Sequence, residues 1–191
     1  MERALADMER AFYLLDCGTR FNGIQVVSIQ GVIEEPLLRL SLDRLQARHP
    51  LLRVRLTGDD KTLGFTEDGA GPLPLLVLDR QGDDHWQAVV DIELNRPFAR
   101  TDDHLTRLLW LRGPKRSELV IAHHHVIADA LSMVFAVRDL LTDLAALSSG
   151  QSLLPPESLP LRPPLPALLP AQSKGLRLFP AMHDFFFKHV L

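Results

Sequence analysis

The sequence predicts an α/β domain of mixed order, an α+β sandwich. Three observations carry that reading. The stretch GIQVVSIQGVI, residues 23–33, is rich in β-branched residues and partly alternating, as strands are. Several other stretches carry apolar residues at helical spacing, with recognisable start and stop signals. The resulting tally, about six or seven strands against four helices, fits neither an all-β domain nor a helix bundle, and its order is not the regular alternation of a doubly wound sheet.

Taken in order, Leu5, Met8, Ala11, Phe12 and Leu15 predict a helix over 3–15, and Cys17-Gly18-Thr19-Arg20 breaks it. The strand at 23–33 follows. Glu34, Glu35 and Pro36 are a good helix start: acids sit at the positive end of the helix dipole and proline fits the first turn. Leu38, Leu42 and Leu45 then share one face, which should be buried, and the helix ends near His49-Pro50. LLRVRL, 51–56, reads as a short strand, with a turn at Gly58-Asp59-Asp60 before another strand around 62–66. LPLLVLD, 73–79, reads as a further strand, and 84–95 as a helix with Trp86, Val89, Val90 and Ile92 on or near one face. HLTRLLWLRG and SELVIAHHH flank Pro114-Lys115-Arg116 and predict a β-hairpin. Asp129 opens a helix to about 147, with Leu131, Val134, Phe135, Leu141 and Leu144 expected inward. Ser148-Ser149-Gly150 ends it.

The character changes after residue 150, so the chain divides into a domain at 1–150 and a distinct segment at 151–191. Seven of the 14 prolines fall in 151–170, which excludes continuous helix or central strand and predicts an extended crossing segment. LFPAMHDFFFKHVL follows, an apolar end that calls for something to pack against. FPAMHDFFFK suits a buried core helix or a handle for a further half better than a membrane contact.

Bulk properties narrow the function. With 191 residues, 46% hydrophobic and 24% charged, the chain has the globular mixture and enough length for a core. A net charge of −3 gives no reason to expect nucleic acid or an anionic membrane as a general partner. The single cysteine, Cys17, excludes an internal disulfide framework, fits a reducing cytoplasm and reads as a small buried hydrophobe. The charged start MERALADMER lacks the apolar core of a signal peptide, and no stretch is long and apolar enough to span a bilayer. The expected compartment is the cytoplasm.

Chemistry concentrates in IAHHHVIADA, residues 121–130. On a strand, His123 and His125 share one face and His124 takes the other. Three readings are open. An H-x-H pair with Asp129 could hold zinc, yet the flanks supply no cysteine and no clear fourth ligand, so no metal is expected. A neutral imidazole held rigidly at a strand end, followed by the apolar Val126, Ile127 and Ala128, could take a proton from a hydroxyl or amine. Or the histidines simply end a strand, with Asp129 as a helix N-cap.

HHVIADA, 124–130, resembles the HHxxxDG motif of the superfamily that includes nonribosomal peptide condensation domains, polyketide-associated acyltransferases, wax ester synthases and chloramphenicol acetyltransferase. ARHPLLR, 47–53, resembles the RHxxLR segment of the same domains, after the strand-turn-helix QVVSIQGVIEEPLLRLSLDRLQ. The resemblance covers most of residues 1–150, in order. It implies a chloramphenicol-acetyltransferase-like fold, of which this chain carries one half, the N-terminal subdomain. It implies His125, facing a reaction channel, as the general base or as the residue that positions the nucleophile, His124 as its support from the other strand face, and Asp129 as a structural residue paired with an arginine, for which Arg48 is the candidate here. The motif glycine is Ala130 in this sequence.

The activity so implied is transfer of an acyl group from a thioester, on coenzyme A or a carrier-protein phosphopantetheine, to an alcohol or amine, with no permanently bound cofactor. The implied partners are that donor and acceptor, plus a C-terminal half or a second copy to complete the channel. A non-catalytic binding or docking module is the alternative, motivated by Ala130 and by the half-length chain.

Overall fold

The computed structural model describes residues 2–59, 62–99 and 104–163. The elements are β1 (Glu2–Ala4), α1 (Asp7–Thr19), β2 (Asn22–Gln30), α2 (Glu35–Arg48), β3 (Arg55–Thr57), β4 (Gly64–Thr66), β5 (Leu75–Asp79), α3 (His85–Asn95), β6 (Thr106–Arg112), β7 (Arg116–His124) and α4 (Ala130–Ser148). The readings for LFPAMHDFFFKHVL, including the membrane question, lie outside the described residues.

Four strands form the main sheet in the order β2-β7-β6-β5, and β1-β4-β3 form a small second sheet. Strand β7 pairs antiparallel with β2 and β6, whereas β5 runs parallel to β6. Because side chains alternate along a strand, β6 and β7 feed two cores. Leu108, Trp110, Leu119 and Ile121 meet Leu38, Leu42 and Leu45 of α2 and Met133, Ala136, Leu140 and Leu144 of α4. Leu109, Leu111 and Val120 meet Val89 of α3 on the opposite face. The sheet is therefore covered on both sides, and the histidines at the end of β7 emerge between two packed layers.

Several sequence expectations are corrected. The N-terminal residues pair as β1 with β4, and the first helix starts only at Asp7, where Glu9 accepts the Ala6 N–H at 2.7 Å. Residues 50–53 form a 3-10 turn instead of a strand. Pro50 opens it, the Leu52 N–H reaches the His49 carbonyl at 3.0 Å, and pairing starts only at Arg55. Cys17 is exposed, because it lies on the outer side of the last turn of α1. In α4 the inward stripe is Met133, Ala136, Leu140 and Leu144, while Leu131, Val134 and Phe135 are 61%, 54% and 47% exposed. Apolar residues occur all around that helix, so spacing alone did not fix its phase. Likewise Ile92 faces out of α3, and Glu93 is buried there.

The RHPLLR segment acts as a fastener. Arg53 donates to the carbonyls of Gln46 and Ala47 at the open C-terminal end of α2, at 2.8 and 2.6 Å. Arg44 and Arg48 bind Asp143 and Asp139 of α4 at 2.7 and 3.0 Å, two rungs between antiparallel helices. The same arginines hold the segment after α4: Arg44 donates to the Leu154 carbonyl at 2.8 Å, and the Leu159 N–H to the Arg48 carbonyl at 2.8 Å.

Candidate active site

His123 and His124 are 0% and 1% exposed, whereas His125, in the turn after β7, is half-buried. As alternation requires, His123 and His125 lie together, ring centroids 5.7 Å apart and edge to face, and His124 lies apart from them. The His123 ring lies against its cross-strand partner Gly23 on β2. A β-carbon at Gly23 would come within 2.2 Å of Cε1 and 2.4 Å of Nε2, so only a bare Cα fits there. Among the described residues neither His123 nitrogen has a partner at good hydrogen-bond geometry. Desolvation, reinforced by the neighbouring His125, pushes its pKa down to about 4, and the nearby Ala128 carbonyl pulls the other way.

His124 is fixed differently. Its Nδ1 accepts the Val126 N–H at 3.0 Å, so the neutral ring carries its proton on Nε2. It stacks on Tyr13 at 6.2 Å and touches Phe98 at 6.0 Å. Its Nε2 faces Asp16 Oδ2 at 3.7 Å, too long for a hydrogen bond. Burial pushes its pKa down to about 4 against the pull of Asp16. His124 is thus a neutral, oriented ring with no access to solvent. His125 packs on Phe21 at 4.6 Å and Phe12 at 5.7 Å.

Asp129 is exposed and caps α4: its Oδ1 accepts the Ser132 N–H at 2.7 Å, which holds the carboxyl below its usual pKa. Arg48 does not join it. Its guanidinium binds Asp139, ten positions further along α4, and His49 Nε2 reaches the same oxygen at 3.1 Å. The arginine therefore secures α4 rather than the motif aspartate. Burial lowers the His49 pKa, with Asp139 pulling the other way. Ala130 is the exposed first residue of α4, a helical position that makes no demand for glycine.

Among the described residues no cluster of three or more His, Cys, Asp or Glu is arranged to hold a metal, and no helix is long and apolar enough to cross a membrane. A cavity of about 420 Å³ lies beside the motif loop, lined by Leu51, Ile127, Ala128, Met133, Phe135 and Leu161 among others. Sequence reasoning did not single out Asp16, Phe12, Phe21 or Gly23. The placement of Gly23 opposite the first histidine was the one available signal, and it needs the β2–β7 register to be seen.

The comparisons with known proteins agree with this architecture. The chain resembles the first condensation domain of the calcium-dependent antibiotic synthetase, solved with a substrate analogue (TM-score 0.69, 17% identity, 83% of this chain and 40% of that one). It also resembles a variant of the starter condensation domain of rhizomide synthetase RzmA in complex with C8-CoA (TM-score 0.69, 22% identity, 82% and 38%). A third similar structure is the SgcC5 protein from Streptomyces globisporus (TM-score 0.64, 25% identity, 83% and 39%). The chain thus spans about two fifths of the length of these proteins, consistent with one subdomain of their chloramphenicol-acetyltransferase-like fold. No curated protein matches the sequence. The family model described as the condensation domain matches residues 13–160, most of the chain, and on that match this protein belongs to the condensation domain family.

Proposed function

We propose that this chain is the histidine-bearing half of an acyl-transferring condensation domain. The acyl group moves from a coenzyme A or phosphopantetheine thioester to an alcohol or amine. His125 takes the proton from the attacking hydroxyl or amine as the new C–O or C–N bond forms at the thioester carbonyl. The tetrahedral oxyanion then collapses, the C–S bond breaks, and the imidazolium returns the proton to the departing thiolate. No metal and no covalent enzyme intermediate are required. His124 and Asp129 support this from behind, one as a fixed neutral ring and the other as the cap that starts α4. Arg48 supports it at one remove, through Asp139.

The observation that carries the proposal is the difference among three adjacent imidazoles. Only His125 reaches out of the buried layers, while His123 and His124 are sealed. The complex of a similar starter domain with C8-CoA supports an acyl thioester as donor. The cavity beside Ile127 and Ala128 supports an apolar acyl group of modest size. A second half, or a second copy of the chain, completes the channel, and the single cysteine favours the cytoplasm as the compartment.

The test is release of free thiol from a panel of acyl-CoAs with alcohol and amine acceptors. Transfer that disappears in His125→Ala supports the proposal; transfer unchanged by that substitution refutes it. A binding or docking module is the second reading, motivated by Ala130 at the position of the motif glycine. It predicts calorimetric binding of acyl-CoA or an acyl carrier protein with no thiol released by the wild-type chain.

A further inference from the structure

Asp16 is a buried carboxylate in an unfavourable place. It is 3% exposed and lies in the last turn of α1, where the helix dipole opposes a negative charge. A carboxylate accepts hydrogen bonds and cannot satisfy the free carbonyls of a helix C-terminus, so helix capping does not explain it. Burying it costs free energy unless it is well partnered. Its two oxygens divide their attention. Oδ1 accepts the Phe21 N–H at 2.7 Å, and Oδ2 faces His124 Nε2 at 3.7 Å.

The chain between these contacts is strained. Arg20, with φ of 60°, stands where non-glycine residues seldom do. That turn brings the Phe21 ring to 4.6 Å from His125, tilted by 31°, and Phe12 closes against both rings at 5.7 Å. His125 is thus held between Phe21, Phe12 and His123, and one side of that holder is tied by its backbone to Asp16.

We infer that Asp16 is a positioning residue for His125, acting through the Phe21 backbone. The inference rests on the proposed role of His125 but is tested separately from it. An aromatic face at 4.6 Å also stabilises a cationic imidazole, the species formed when His125 holds a proton.

Two measurements on the 191-residue chain decide the matter. In carbon-13 correlated NMR spectra, the His125 ring protons should be displaced upfield by the Phe21 ring current. Phe21→Leu should abolish that displacement, Phe21→Tyr should keep it, and Asp16→Ala, which removes the acceptor of the Phe21 N–H, should reduce it while leaving the rest of the spectrum folded. In thiol-release kinetics, Asp16→Ala and Phe21→Leu should lower kcat roughly tenfold to a hundredfold, the range expected for misplacing a catalytic group, with KM for the thioester unchanged and kcat restored in Phe21→Tyr. An unchanged His125 spectrum in Asp16→Ala overturns the inference. So does a wild-type kcat in both variants when His125→Ala is inactive. If His125→Ala keeps full activity the proposed function fails, and the spectra still decide whether Asp16 sets Phe21 on His125.

Discussion

Arg48 on α2 and Asp139 on α4 share an ion pair at 3.0 Å, and His49 adds a hydrogen bond to the same carboxylate oxygen at 3.1 Å. The two most recognisable residues of the RHPLLR segment therefore converge on one acceptor in the helix that the histidine motif begins. Asp139→Asn should destabilise the fold by about 1–2 kcal/mol, because the site is only partly exposed and Arg48, His49 and Arg138 all lose their charged partner. Urea denaturation checks this, and Arg48→Ala combined with Asp139→Asn should cost clearly less than the sum of the single losses. Strict additivity would contradict the clamp.

The buried histidines give the fold an acid sensitivity. His123 and His124 titrate near 4 when folded, against 6.5 for an ordinary imidazole. Between those values the unfolded chain binds protons that the folded chain refuses. The contribution to stability is therefore complete above pH 6.5 and is lost as pH falls toward 4, on the order of several kcal/mol for the pair. The urea midpoint should drop markedly between pH 7.5 and pH 4.5. A midpoint that stays constant over that interval would show that these rings do not stay neutral.

Gly23 and His123 should behave as one unit. Gly23→Ala places a methyl group 2.2 Å from the His123 ring and should cost about 1–3 kcal/mol, the usual range for overpacking. His123→Val in the same chain should recover part of that loss. If Gly23→Ala is harmless on its own, the ring does not lie where the register puts it.

Ala130 departs from the family's glycine, and α4 accommodates it at a helical first position. Ala130→Gly should leave the melting temperature unchanged or lower it, with a cost of at most about 1 kcal/mol. Thiol release should not increase. A gain in activity would mean that the glycine matters for the approach of substrate rather than for the loop.

How far the sequence foretold this arrangement depends on the range of the interactions. The face of α2 carrying Leu38, Leu42 and Leu45 was legible because its periodicity is local, and so was the helix start at Asp129. The alternation of His123 and His125 against His124 follows from the two-residue repeat of a strand. The phase of α4 was not legible, since Leu131, Val134 and Phe135 are as apolar as the residues that face inward. Nor was the partner of Arg48, which depends on how two helices 91 residues apart are aligned. Asp16 and Phe21 look like the ragged end of a helix in sequence, and only the strained turn at Arg20 shows what they approach.

The segment after α4 sets a distance as well as a path. A helix of 19 residues carries the chain about 28 Å from the motif, at 1.5 Å per residue. The contacts of Leu154 and Leu159 with Arg44 and Arg48 bring it back, so that Leu159 to Arg162 line the same cavity as Ile127 and Met133. The segment is thus a strap: it ties the far end of α4 back to its beginning, and Leu159 and Leu161 supply a wall of the cavity that α4 alone does not provide.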